Sequence, residues 1–332
     1  MFKRYFAPPA LLTLLVLGGG ALDAAAAIQR TFVASYGSDA NSCTLASPCR
    51  AFSFAIAQTT AGGEVVVLDS AGYGPVTIAQ AVSIIAPPGI YAGVSVLTGI
   101  GVTVNPGSGK VTLRGLTING LGGTTGIAYQ SGDALYLDNV VVSGFGGGIG
   151  LNAATGAATS SLFIHDSTFR DNATGLATGT TSGTLTLKVE RTIFERNTTG
   201  ANVQGNTTGA IQGSSFSSGN IGLSAGFAAS AKTVKLELRD CTVTDNASNG
   251  LAVGASSSPT IVSVVNTLVS GNINAGLQVT GSGNSAYVSD SAITRNGTGL
   301  AYVSSGVAVS GGDNRLINNG TDGTFSSTTL KI

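Results

Sequence analysis

The sequence predicts an all-β fold, a parallel β-helix in which coils of about 25 residues stack on one another, and three observations carry it. The first is a repeat. An apolar anchor recurs at Ile118, Val142, Phe169, Phe194, Phe216, Val243, Val269 and Ile293, with spacings of 22 to 27 residues and a mean of 25. A degenerate ninth copy surrounds Leu316. The second is a period of two. Five residues before the anchors stand Leu113, Leu137, Ile164, Val189, Ile211, Leu238, Val264 and Val288; seven before stand Val111, Leu135, Leu162, Leu187, Gly209, Leu236, Val262 and Ala286. Two residues apart, these columns share one face of a strand. The third is composition: 49 of 332 residues are Gly, none is Trp, and Gly, Ser, Thr and Asn crowd the segments where a helical repeat would need Ala, Leu and Glu. Each unit holds two or three strands too short to bury a face alone, so successive units must stack.

Taken from the N-terminus, residues 1–27 predict a secretory signal. Lys3 and Arg4 form the basic start, Ala10 to Leu17 the apolar run, and Ala24 to Ala27 the small-residue cleavage zone. The apolar run is shorter than the ~20 residues a membrane span needs and ends in Gly18-Gly19-Gly20, so no membrane anchor is expected after cleavage. Residues 28–63 predict an N-terminal cap. Within it Cys43 and Cys49 lie six apart in a polar loop, and export favours their pairing as a local disulfide. Ser47-Pro48 reads as a helix start, Arg50 to Thr60 as one short helix, and Gly62-Gly63 as its stop. Residues 64–332 predict the solenoid, opening with strands Glu64–Asp69 and Val76–Ala86.

Within the coils, a polar turn column three residues after the anchor holds Asn172, Asn197, Asn246, Asn272, Asn296 and Asn319. Asn suits such turns because it tolerates left-handed backbone and its amide bonds along a ladder. A glycine column follows at Gly126, Gly148, Gly175, Gly200, Gly222, Gly250, Gly276 and Gly299. After each glycine comes an inward residue: Ile127, Ile149, Leu176, Ala201, Leu223, Leu251, Leu277 or Leu300. A second turn column holds Asn139, Asp166, Asp240, Asn266 and Asp290. Cys241 falls in an inward column with Ser167, Thr192, Ser214, Thr267 and Ser291, which predicts a buried structural thiol.

The charge balance narrows the function. Sixteen basic and sixteen acidic residues cancel, and only 10% of the chain is charged, so a nucleic-acid partner is not expected. Without residues 1–27 the chain keeps 14 basic and 15 acidic groups. With 42% hydrophobic residues, disorder is excluded as well.

The inward Val/Ile/Leu strand, the Asn/Asp–Ser/Thr turn, the Asn-x-x-Gly-Leu turn and a capping helix leading into Gly63-Glu64-Val65-Val66-Val67 together carry a resemblance. Over roughly residues 30–332 the chain resembles the secreted right-handed parallel β-helix proteins of the pectin-lyase-like superfamily, and most of all its bacterial members known only as β-helix repeat proteins. The resemblance implies right-handedness and three sheets per coil, while the secreted or periplasmic location is expected from residues 1–27. It does not imply one reaction, because that superfamily spans lyases, hydrolases, epimerases and adhesins, and function lives in sites grafted on a fold.

Glycoside hydrolysis needs two carboxylates flanking the bond, and uronate lysis a base with charge neutralisation. The outward positions after the glycine column, Ala128, Gly150, Ala177, Asn202, Ser224, Ala252, Gln278 and Ala301, carry neither. Charges and aromatics gather six and four residues before the anchors instead. Tyr136, Asp138, His165, Lys188, Glu190, Glu237, Arg239 and Tyr287 are the candidate binding face, with Phe163 in the same column. Arg170-Asp171 and Glu195-Arg196, one coil apart, predict columns of alternating sign. No catalytic set and no metal site is expected. Asp138-Asn139, Asp171-Asn172 and Asp245-Asn246 are calcium candidates by composition, but no clear Ca²⁺ site or cofactor site emerges. The expectation is an exported non-enzyme whose wall meets a polysaccharide or cell-surface glycan. A polysaccharide lyase, hydrolase or epimerase and an end-to-end stacking subunit are the alternatives.

Overall fold

The structure is a computed structural model and describes residues 28–180, 182–226, 232–254 and 259–329. Residues 1–27, expected from the sequence to be a signal segment, lie outside the described residues. Three parallel sheets of 13, 10 and 11 strands enclose one apolar core. A typical coil runs from Ala134–Asp138 in the 13-stranded sheet to Val141–Ser143 in the 11-stranded sheet and Ile149–Ala153 in the 10-stranded sheet. The next coil then opens at Thr159–His165 beside the first strand, with Leu135 level with Leu162 and Leu137 with Ile164.

The sequence columns are physical columns. Val142 pairs with Ile118 and Phe169, Phe194 with Phe169 and Phe216, and Ile293 with Val269 and Leu316. All eight anchors are buried. Phe169, Phe194 and Phe216 stack with centroids 5.3 and 4.7 Å apart. Truncating one to alanine would cost about 3–5 kcal/mol. In the core-facing column that holds Leu187 and Leu236, one level is glycine, Gly209, where a Cβ would stand 1.9 Å from the Leu187 carbonyl oxygen.

Side-chain ladders fix two of the three corners. At one, Asn172 Nδ2 donates to Asn197 Oδ1 (3.0 Å), Asn246 to Asn272 (2.8 Å), Asn272 to Asn296 (2.9 Å) and Asn296 to Asn319 (2.9 Å). Gly219 interrupts the ladder, and its N–H donates to Asn246 Oδ1 instead. Contrary to the expectation, these asparagines do not supply the left-handed backbone. Asp171, Arg196, Ser218, Asp245, Arg295 and Asn318, each one residue earlier, have φ between +51° and +61°. The corner therefore splits its two tasks between neighbours: one residue turns the chain and the next fills the ladder.

The other ladder is built from hydroxyls. Ser167, Thr192, Ser214, Thr267 and Ser291 each donate to the carbonyl two residues before. They also accept, where the coil below offers it, a backbone N–H: Thr192 N–H donates to Ser214 Oγ and Thr267 N–H to Ser291 Oγ. Cys241 occupies one rung, its thiol 3.2 Å from Arg239 O and buried, and burial pushes its pKa up. The residue before each rung is left-handed, at Asp166, Arg191, Gly213, Asp240, Asn266 and Asp290, as is Asn139 before Val140 in the same column. Connection lengths differ between corners. From the 13- to the 11-stranded sheet every link from Asp138 to Ala292 is two residues; from the 10- back to the 13-stranded sheet the link is three after Val203 and five after Ala153.

Four sequence expectations need correction. The glycine column passes through Gly150, not Gly148, because Thr125 pairs with Ile149 and Ile127 with Leu151. The inward residue is therefore Leu151 and the outward one Asn152, since this turn, like that of the coil before it, is two residues longer than in the next three coils. At this corner a Cβ on Gly175 or Gly200 would stand 2.5 or 2.4 Å from the next coil's glycine oxygen, so close approach excludes any side chain. The helix spans Phe52–Gln58, with Ala51 at its N-cap and no side-chain cap of its own. Ser47 and Pro48 precede it, and Asp39 Oδ1 instead accepts the N–H groups of Arg50 and Ala51, each at 2.9 Å. Gly62-Gly63 do not stop the helix; they lie inside strand Thr59–Val67, where Gly62 (φ +83°) accompanies a register shift against the first strand. Val76–Ala86 is two strands on different sheets, Val76–Ile78 and Val82–Ile85.

The 13-stranded sheet also starts earlier than residue 64, since Ile28–Val33 pairs in parallel with Thr59–Val67. Cys43 and Cys49 form a disulfide beside that first strand, where Phe32 N–H donates to Cys43 O and Cys49 N–H to Phe32 O. Among the described residues no helix is long and apolar enough to cross a membrane.

Candidate functional site

The outward positions of the 13-stranded sheet form two columns. Tyr136, Phe163, Lys188, Ala210, Glu237, Ser263 and Tyr287 stand level in one. Asp138, His165, Glu190, Gln212, Arg239, Val265 and Ser289 stand level in the other. The candidate face is therefore not one site. Tyr136, Asp138, His165, Lys188 and Glu190 occupy three consecutive coils and form a cluster. Glu237 and Arg239 lie beyond Ala210 and Gln212 and pair with each other at 2.7 Å. Tyr287, 47% exposed, stands five coils past Phe163, about 24 Å along the stack at the spacing of parallel strands.

The cluster gains two residues not singled out from the sequence, Thr112 and Arg114. They sit one coil before Tyr136 and Asp138, in register with them. Extending the same count back from Ile118, six and four residues, would have found both.

Charges here pair between and along coils. Arg114 Nε lies 2.7 Å from Asp138 Oδ2, and His165 Nε2 lies 3.3 Å from Glu190 Oε2. Lys188 Nζ lies 2.6 Å from Glu190 Oε1. Arg191 grips Asp166 with two bonds, of 2.7 and 2.9 Å, and comes within 3.6 Å of Glu190. The Lys188 hydrogen bond, helped by the charges of His165 and Arg191, holds the Glu190 carboxyl below the usual range. That favours the ionised form, the opposite of what a proton donor at neutral pH needs.

The calcium candidates are likewise engaged with cations or corners. Asp138 is held by Arg114, and Asp171 by Arg196 at 2.8 Å and Arg170 at 3.2 Å. The alternating columns expected around Arg170 and Glu195 thus close through Asp171. Asp245 holds a left-handed corner position. Among the described residues no three His, Cys, Asp or Glu side chains converge as a metal set.

What distinguishes the cluster is its aromatic pair. The Tyr136 and Phe163 rings stack with centroids 4.7 Å apart and planes 5° from parallel. Since they stand one coil apart, each turns one face to the other. Tyr136 keeps a second face toward the Thr112 coil, where a small side chain leaves it uncovered. There a depression of about 420 Å³ opens, lined by Thr112, Arg114, Tyr136, Leu137, Asp138, Phe163 and His165. It combines a flat apolar wall with a paired donor and acceptor at its rim, the makings of a site for a ligand with one apolar face and a polar edge.

Comparison with known proteins follows the fold. Residues 100–265 match the family model described as "Right handed beta helix region". A pectate lyase structure, Pel9A, aligns over 91% of this chain and 78% of its own at 13% identity, with a TM-score of 0.55. A rhamnogalacturonan lyase aligns over 91% of this chain and 89% of its own at 12% identity, with a TM-score of 0.45. No curated protein sequence matches the chain. At such identities the likeness is one of fold.

Proposed function

The chain belongs to the right-handed β-helix family, and from that premise we propose that it is an exported, non-catalytic protein that presents the outer face of its 13-stranded sheet to glycans. The observation that carries the proposal is the half-buried, outward-facing Tyr136–Phe163 stack, set among charges that satisfy one another instead of converging on a reacting atom. Stacked rings offer a rigid apolar platform of low entropic cost, and the Arg114–Asp138 and His165–Glu190 pairs offer donors and acceptors for hydroxyls. In this reading residues 1–27 direct export, the protein works in the periplasm or outside the cell, its partner is a polysaccharide or cell-surface glycan, and it uses neither a cofactor nor Ca²⁺.

The test incubates the purified protein with neutral and uronate-rich polysaccharides, with and without Ca²⁺. Products are read by mass spectrometry and binding by retention of the protein on each polymer. Retention without new oligosaccharides, lost in Tyr136→Ala, is the expected result. New oligosaccharides that disappear in Glu190→Gln or His165→Ala would replace this reading with a polysaccharide-active enzyme.

A further inference from the structure

The same depression points to the charge class of its ligand. Stacking a pyranose on the free face of Tyr136 would place the sugar at the level of the Thr112 coil, with its edge against Arg114 and Asp138. Those two are already a closed ion pair at 2.7 Å. A guanidinium committed to a carboxylate donates with its remaining N–H groups, while the carboxylate accepts with its remaining lone pairs. Together they match neighbouring hydroxyls, which both donate and accept. They do not match a second carboxylate, which would meet the Asp138 charge at contact distance.

The rest of the rim repeats the pattern. His165 faces Glu190, Lys188 is bonded to the same Glu190, and Arg191 is bonded to Asp166. Every basic group bordering the Tyr136–Phe163 pair thus already faces a carboxylate, with His165 and Lys188 sharing Glu190. We infer that this site takes an uncharged hexopyranose glycan and rejects polyuronates, an inference that rests on the glycan-binding reading above. The discriminating feature is Asp138: it neutralises Arg114 and supplies the repulsion that excludes a uronate carboxylate.

The experiment is affinity electrophoresis of the full chain in gels containing soluble glucan, galactan or mannan, each paired with its own C6-oxidised form. Oxidation converts the hydroxymethyl group to a carboxylate and leaves the linkage unchanged. The expected result is retardation by at least one neutral polymer and binding at least about tenfold weaker to its oxidised form. Asp138→Asn, which frees Arg114, should narrow or reverse that gap, and Tyr136→Ala should abolish retardation by both forms. Equal or stronger binding of an oxidised polymer by the unaltered protein would overturn the inference while leaving the glycan-binding face intact. An unchanged gap in Asp138→Asn would overturn the role given to that residue. Retardation by no polymer, or retardation indifferent to Tyr136→Ala, would remove the binding face itself and this inference with it.

Discussion

Replacing Asn272 by alanine should destabilise the middle of the solenoid by about 3–5 kcal/mol. Asn272 is fully buried, and its Nδ2 donates to Asn296 Oδ1 (2.9 Å) and Val243 O (3.2 Å). Its Oδ1 accepts from the Asn246 side chain (2.8 Å) and from the Asn246 backbone N–H (3.2 Å). Alanine leaves that buried N–H without a partner, at about 1–3 kcal/mol, and removes three amide–carbonyl bonds worth about 0.5–1.5 kcal/mol each. The Asn246 side chain keeps Thr244 O, which softens the total. Asn319, at the half-exposed end of the same ladder, bonds Asp322 and Ile293 O, and water can take over its role. Asn319→Ala should therefore cost only about 1 kcal/mol. Because each coil contacts chiefly its neighbours, one unfolding free energy is a poor measure, and hydrogen exchange at the Asn246 amide should be followed beside denaturant unfolding. If Asn272→Ala left that amide as protected as in the parent, or cost no more than Asn319→Ala, the idea that the ladder carries the corner would be refuted.

Three further outcomes are expected. Cys241→Ser should hold or raise the melting temperature, gaining up to about 1 kcal/mol, because a hydroxyl restores the rung that Ser214 and Thr267 make; a clear loss of stability would contradict the ladder account. Gly200→Ala should cost at least about 2 kcal/mol, since its Cβ would meet the Gly222 oxygen at 2.4 Å, whereas Gly146→Ala, with open space around it, should be nearly neutral by thermal melt. Asp166, Asp171 and Glu190 are held low by Arg191, Arg196 and Lys188 respectively. Depressed folded-state values mean stability that is present above the unfolded-state range, about pH 4, and lost as pH falls through the folded values. An Arg191→Gln, Arg196→Gln variant should accordingly lose less melting temperature between pH 6 and pH 3 than the parent.

The solenoid was legible because stacking forces one residue type to recur at one level. Val142, Phe169 and Phe194 could be aligned by spacing alone, and they stand in register. Legibility failed where length varied locally. The run Gly146-Gly147-Gly148 before Gly150 offered two glycines for one corner, and distance from the anchor favoured the wrong one; the pairing of Leu151 with Leu176 decides it. The cap failed for another reason. Ser47-Pro48 has the local signature of a helix start, but the true acceptor is Asp39, brought in by the folded loop. For the binding face, parity named the outward columns and therefore Tyr136, Asp138, His165 and Glu190. It could not name their partners. Arg191, which reaches both Asp166 and Glu190, is a left-handed residue of the second turn column and not of the outward columns, and Arg114 lies in the first coil beside a threonine and not an aromatic.

The unequal corners decide where this molecule is free to change. A link held at two residues between the 13- and 11-stranded sheets admits no insertion without lifting the hydroxyl rungs out of level. The link that returns to the 13-stranded sheet already tolerates three residues or five. Added chain at that corner emerges beside the first residues of strands such as Ala134–Asp138, next to the face that carries Tyr136. Variation tolerated by the scaffold is thus channelled to the border of the proposed binding surface, so a lineage of such proteins could rewrite that face while inheriting its core unaltered.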